Sequence, residues 1–164
     1  MDLQFLKKVP LFKNLTKEEL KILENYLKQR RFKQGDCIIK ENEVSQNLFI
    51  LHEGKVKITK KMTMIDREEE EKDKTFIVLD SKNYSFFGEI GFLGKVQKRT
   101  ATAIAKTDCE FYTIDRNDFL KICEKNPAIG YKVLMEIACN LSIYLEKADS
   151  DILKLTTALI FALS

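Results

Sequence analysis

YSFFGEIGFLGKVQKRTATAIA, residues 84–105, decides how the rest of the chain is read. Phe87-Gly88-Glu89-Ile90 puts a glycine and then an acid at the start of a short apolar helical turn that continues with Phe92 and Leu93. A polar connection, Gly94 to Lys98, leads to Arg99-Thr100-Ala101, the opening of a predicted strand. A helical turn led by glycine presents free backbone N–H groups, which favour an anion at that spot. Arg99 adds a planar fork of donors suited to phosphate oxygens. Glu89 only accepts hydrogen bonds, so it suits a sugar hydroxyl far better than a phosphate. Taken singly, Gly88 is a turn residue, Glu89 a solvated acid and Arg99 a salt-bridge partner. Together and in this order they describe a pocket for a ribose phosphate.

On the N-terminal side, Leu3, Leu6 and Val9 predict a short helix that Pro10 ends. Thr16-Lys17-Glu18-Glu19 is a capping box, followed by Leu20, Leu23 and Leu27 at helical spacing. The basic run Lys28 to Lys33 reads as a solvated face leading into a strand. From Cys37 to Ile114 short strands alternate with turns, as in an all-β roll. Cys37–Lys40, Asn47–Leu51 and Lys55–Lys61 are the first three strands, with Glu53-Gly54 as the tight connection of the latter pair. Asn42 is placed for a left-handed turn, and His52, with no nucleophile or metal partner near it in sequence, reads as structural. Met62 to Lys74, with DREEEEKDK, reads as an exposed hairpin tip. Past Arg99, Ala101, Ala103 and Ala105 share one strand face with the arginine.

On the C-terminal side, Asp115 caps a predicted helix over Arg116–Lys125, and Asn126-Pro127 starts a longer one. In that helix Ile129, Val133, Ile137, Leu141, Tyr144, Leu145 and Ala148 form an apolar stripe. Asp149-Ser150-Asp151 separates it from a tail, ILKLTTALIFALS, with apolar residues all round, which must bury against the roll, a second subunit or a partner. At 164 residues, 45% hydrophobic and 32% charged, the chain is the size of one soluble domain. A net charge of +3 is too small to argue for nucleic acid. Cys37, Cys109, Cys123 and Cys139 lie far apart and read as buried thiols of a reducing cytoplasm, with no metal site. No stretch of sequence approaches the ~18 apolar residues of a membrane span.

The quoted stretch resembles the phosphate-binding cassette of the cyclic-nucleotide-binding domain, the effector domain of catabolite activator proteins. It is similar at Phe87, Gly88, Glu89, Arg99, Thr100 and Ala101, and the likeness extends over roughly residues 8–148. The resemblance implies a mainly β fold, a double-stranded β-helix of jelly-roll type flanked by N-terminal and C-terminal helices. The expected division is a single domain, 1–164: a helical segment 1–34, a β-roll 35–114 with the cassette at 86–101, and C-terminal helices 115–164. Expected ligand-binding residues are Phe87, Gly88, Glu89, Ile90, Arg99, Thr100, Ala101 and Tyr144, the last where the long helix covers the base. The expected ligand is a cyclic nucleotide, cAMP ahead of cGMP, with no cofactor and no catalytic residues. Occupancy would be passed through the long helix to a partner or to a second copy in a homodimer, without specific DNA binding or membrane insertion. The rival expectations are a nucleotide-free interaction domain of the same fold, a fragment of a transcription regulator, and an enzyme, for which no nucleophile and base can be paired.

Overall fold

The run Leu48-Phe49-Ile50-Leu51 is too continuously apolar for a strand with one wet face, and it is in fact buried on both faces. A computed structural model describes residues 2–61, 73–94 and 98–163. Two four-stranded antiparallel sheets form a roll. One has the order β1 (Lys28–Phe32), β8 (Cys109–Asp115), β3 (Asn47–Glu53), β6 (Phe86–Phe87). The other has β2 (Cys37–Ile39), β7 (Thr102–Ala105), β4 (Lys55–Lys61), β5 (Asp73–Asp80). The helices are α1 (Leu3–Lys8), α2 (Lys17–Glu24), α3 (Glu89–Leu93), α4 (Arg116–Lys125) and α5 (Pro127–Leu163).

Strand alternation splits the core in two. Phe49 and Leu51 of β3 join Phe87, Ala103, Ala105 and Phe111 inside the roll. Leu48 and Ile50, one residue out of phase, join Tyr112 and Ile114 beneath a helical layer that supplies Leu6, Phe12, Leu23, Ile122, Val133 and Ile137. The helix signals read from sequence operate as expected. Thr16 and Glu19 form the reciprocal capping box of α2, and the Asp115 side chain accepts the Asn117 N–H at the start of α4. Asn42 has φ 69°. His52 packs edge-on to Phe5 with ring centroids 4.6 Å apart, a structural placement.

Four expectations need correction. The roll begins at Lys28, not at residue 35, because Lys28–Phe32 pairs residue by residue with β8. Arg99 does not open a strand; Thr100 and Ala101 form a bend and β7 starts at Thr102. Of the cysteines, Cys109 is buried, but Cys37, on an edge strand, and Cys139, on the outer side of α5, are exposed. The tail neither separates from the long helix nor folds back. Asp149-Ser150-Asp151 contains no glycine or proline to stop a helix, and α5 runs unbroken for 37 residues. Its tail residues Ile152, Leu155, Leu159 and Phe161 are all exposed. Joined in this way, α5 is long and apolar enough by length and composition to cross a membrane, with a window of mean hydropathy 1.2. The expected hairpin tip lies mostly outside the described residues; Asp73 and Lys74 belong to β5.

The first part of α5 is fastened to the body. Ile129, Val133 and Ile137 are buried, and Leu141 packs against the same cluster. Lys132 Nζ donates to both Glu19 carboxylate oxygens at 2.9 and 2.8 Å. Glu136 accepts from Asn14 Nδ2 at 2.6 Å and pairs with Lys13 at 2.8 Å. The helix is thus joined to the N-terminal segment by burial and by charge.

Candidate functional site

Where β6 ends, Gly88 takes φ 93° and turns the chain directly into α3. Its left-handed backbone is one reason for glycine there, and the space it leaves is another. A Cβ on Gly88 would sit 2.8 Å from Arg99 Nη1 and 3.0 Å from the Asn47 carbonyl oxygen. One helical turn on, a Cβ on Gly91 would lie 2.9 Å from the same Nη1 and 3.0 Å from the Ser45 carbonyl. The two glycines form a slot that the Arg99 guanidinium fills.

Arg99 is only 4% exposed. Nη1 donates to the Gly88 carbonyl at 2.9 Å; Nη2 donates to Ser45 Oγ at 2.9 Å and to the Asn47 carbonyl at 2.7 Å. The Phe49 ring lies 5.9 Å from the guanidinium carbon. Nε is buried with no hydrogen-bond partner among the described residues. Burial lowers the arginine's pKa and the Glu89 charge opposes that shift. Backbone bonds hold the residue in place: its N–H donates to the Glu43 carbonyl at 2.8 Å, and its carbonyl accepts from Asn42 N–H at 2.9 Å. This backbone anchoring takes the place of the strand pairing expected at this position.

Glu89 is 7% exposed. Burial pushes its carboxyl pKa up; the backbone N–H groups of Glu89 and Gly88, and then Arg99, pull it down, and the net shift is upward. Two of the backbone N–H groups expected to favour an anion, those of Gly88 and Glu89, thus also stabilise the Glu89 carboxylate. One buried cation and one buried acid share the site.

Phe87, Gly88, Glu89, Ile90, Arg99, Thr100, Ala101 and Tyr144, all singled out from sequence, line one cavity of ≈ 200 Å³. Tyr144 reaches it from α5 and is half exposed. Sequence reasoning missed the other walls: Ile39, Ile58, Ile77, Leu79, Phe86, Gly91 and Ala103. Strand alternation alone could have suggested Ile58 and Ala103, which face each other across the β4–β7 pair. Ser45 and Asn47, which hold Arg99 from more than fifty residues away, left no local signal. Among the described residues no group of three His, Cys, Asp or Glu is placed to hold a metal ion.

Residues 29–126 match the cyclic nucleotide-binding domain family. A cGMP-dependent protein kinase of Caenorhabditis briggsae is 31% identical over 121 residues, which are 73% of this chain and 15% of the kinase. The Cyclic AMP receptor protein of Thermus thermophilus is 27% identical over 143 residues, 87% of this chain and 60% of the receptor. The chain thus spans less than two thirds of either relative. Among solved structures, the Thermus thermophilus Catabolite Activator Protein superposes with a TM-score of 0.76 at 26% identity, covering 90% of this chain and 63% of that one. A cyclic nucleotide-binding domain from Methylobacillus flagellatus gives 0.76 at 19% identity, covering 92% and 80%, which speaks for the fold alone.

Proposed function

Since the chain belongs to the cyclic nucleotide-binding domain family, a regulatory and non-catalytic fold even where it sits in kinases, we propose that its cavity takes a cyclic nucleotide by the sugar phosphate. The observation that carries this reading is the Arg99 Nε, a charged donor buried in the cavity wall with no acceptor among the described residues. A buried donor without a partner costs about 1–3 kcal/mol, and a phosphate oxygen would remove that cost. Glu89, an acceptor in the same wall, would take the ribose hydroxyl, and the N–H groups at the start of α3 would face the phosphate. Phe87, Ile90, Thr100 and Ala101 complete the seat, and Tyr144 lies over it from α5.

The reading extends to output. Ligand under Tyr144 would bias the position of α5, and a second copy of the chain would register the change. The support for a homodimer is the spacing along α5. From Leu134 to Ala162 apolar residues recur at alternating steps of four and three, the seam of a two-stranded coiled coil. All of these positions except Leu141 are exposed. Titration calorimetry of the full chain with cAMP and with cGMP, using linear AMP as control, tests the ligand. Heat of binding with a cyclic nucleotide is expected, and none with either would favour an interaction domain that keeps the fold without the ligand. Light scattering tests the dimer: a dimer is expected, with Leu145→Glu shifting it to monomer, and a monomeric parent would overturn that part.

A further inference from the structure

Resting on the reading of the cavity as a cyclic-nucleotide site, we infer that Ser45 is a positioning residue of that site: its hydroxyl fixes the plane of the Arg99 guanidinium and, being uncharged, leaves the arginine's charge to the ligand. Ser45 is not among the described residues that line the cavity, so it acts through Arg99. Of the three acceptors that hold the Nη groups, the Gly88 and Asn47 carbonyls belong to the backbone and stay whatever side chains stand there. Ser45 Oγ, 2.9 Å from Nη2, is the side-chain acceptor, the one that a substitution can remove.

The segment that carries Ser45 grips the cassette at each step. Asn42 N–H donates to the Arg99 carbonyl at 2.9 Å, and the Glu43 carbonyl accepts from Arg99 N–H at 2.8 Å. Val44 forms a β-bridge with Lys98. The Ser45 carbonyl oxygen stands 3.0 Å from where a Cβ on Gly91 would lie, and Gln46 Nε2 donates to the Gly94 carbonyl at 3.1 Å. With the backbone pinned on both sides of Ser45, a change of its side chain alters the partner of Nη2 and little else. A guanidinium carries its N–H donors in one rigid plane. Three bonds to the Nη groups fix that plane and leave Nε, buried and without a partner among the described residues, to the cavity. With the hydroxyl gone the plane is less firmly held, and a further buried donor is left open. Charge matters as much as direction. The site already holds one acid, Glu89, whose charge acts on Arg99. The hydroxyl holds the guanidinium without adding a second, whereas a carboxylate in its place would compete with a phosphate and repel it.

The test is calorimetric titration of the full chain with cAMP and with cGMP, for the parent, Ser45→Ala and Ser45→Asp, alongside thermal melts of the unliganded proteins. Ser45→Ala should weaken binding by about threefold to tenfold, the worth of one hydrogen bond. Ser45→Asp should bind weaker than Ser45→Ala by about tenfold or more. It should nevertheless melt higher than Ser45→Ala at neutral pH, because an ionised partner offsets the burial of Arg99. That opposition separates positioning from support of the fold, since under a purely structural role the variant that melts higher would bind better. Parent-like affinity in both variants overturns the inference and leaves the cyclic-nucleotide site standing. So does Ser45→Asp binding as well as Ser45→Ala, or melting below it. Failure of the parent to bind either nucleotide removes the site itself and the inference with it, a result separable from the first.

Discussion

Gly88→Ala is the sharpest perturbation of the site because its effect divides into two parts that can be measured separately. An L-residue at φ 93° costs about 1–2 kcal/mol in backbone strain. The new methyl would also meet Arg99 Nη1 at 2.8 Å and the Asn47 carbonyl oxygen at 3.0 Å. Neither can retreat: Asn47 belongs to β3, and the guanidinium is held by three hydrogen bonds of 2.7–2.9 Å. Overpacking of this kind adds about 1–3 kcal/mol, and the stiffer unfolded chain returns about 0.4–1 kcal/mol. The net loss is about 1–5 kcal/mol, a fall in melting temperature of about 2–20 °C for a chain of this size. Gly35→Ala supplies the control, since Gly35 has φ 90° but nothing within 4 Å of an added Cβ. It should show the backbone part alone. Thermal melts followed by circular dichroism compare the two variants with the parent, and calorimetry with cAMP follows the site. The packing argument is refuted if Gly88→Ala and Gly35→Ala melt at the same temperature, or if Gly88→Ala binds like the parent.

Arg99→Ala should weaken cyclic-nucleotide binding by about 3–5 kcal/mol, because a desolvated phosphate loses its charged partner; parent-like affinity in a folded variant would sink the proposed seat. Glu89 gives a pH signature: burial raises its pKa, so affinity should begin to fall, on acidification, at a pH above the roughly 4.3 of an ordinary glutamate. In the unliganded chain the sign is opposite, since a carboxyl with a raised folded pKa contributes stability that is lost as pH rises through that value. Glu89→Gln should therefore flatten the binding profile and melt higher than the parent at neutral pH, and a lower melting temperature would contradict the burial argument. Glu19 runs the other way. Burial alone would raise its pKa, but the Lys132 ammonium and the Thr16 N–H outweigh it and hold it low, so its stabilising share is present at neutral pH and lost as pH falls through the depressed value. Glu19→Gln should destabilise the chain by about 1–2 kcal/mol at pH 7 and lessen its acid sensitivity in denaturant titrations; equal melts at both pH values for parent and variant would disprove the clamp between α2 and α5.

Much of this was legible in the chain wherever a local rule and the tertiary structure agree. The capping box at Thr16, the cap at Asp115, the left-handed Asn42 and the Gly88 turn each depend on a few adjacent residues, and each is where local chemistry puts it. The site was legible for the same reason, since seven of its eight expected residues lie within fifteen positions of one another. What escaped was non-local or symmetrical. Ser45 and Asn47 act on Arg99 across the fold, and Gly91 passes in sequence for one more small residue of an apolar turn. Ile39 and Ile58 lie on strands whose pattern does not say which face meets a ligand. The unbroken α5 escaped because three polar residues look like a linker, yet Asp149, Ser150 and Asp151 are compatible with a helix surrounded by water.

The uneven fastening of α5 has a mechanical consequence. Its first turns are held by Ile129, Val133 and Ile137 and by the Lys132–Glu19 and Glu136–Lys13 pairs; residues 142–163 are all exposed, and Tyr144 among them lines the cavity. From Leu141 to Leu163 a rise of 1.5 Å per residue makes an arm of roughly 33 Å. A tilt of about 10° at its base, small enough to be absorbed by a few side-chain rotamers, would sweep the tip through about 6 Å, slightly more than one helical pitch. On the proposed reading the arm would work as a lever with its fulcrum beside Tyr144: angular changes too slight to disturb the packing around the cavity would become, at its far end, displacements as large as the spacing of the side chains that would grip it.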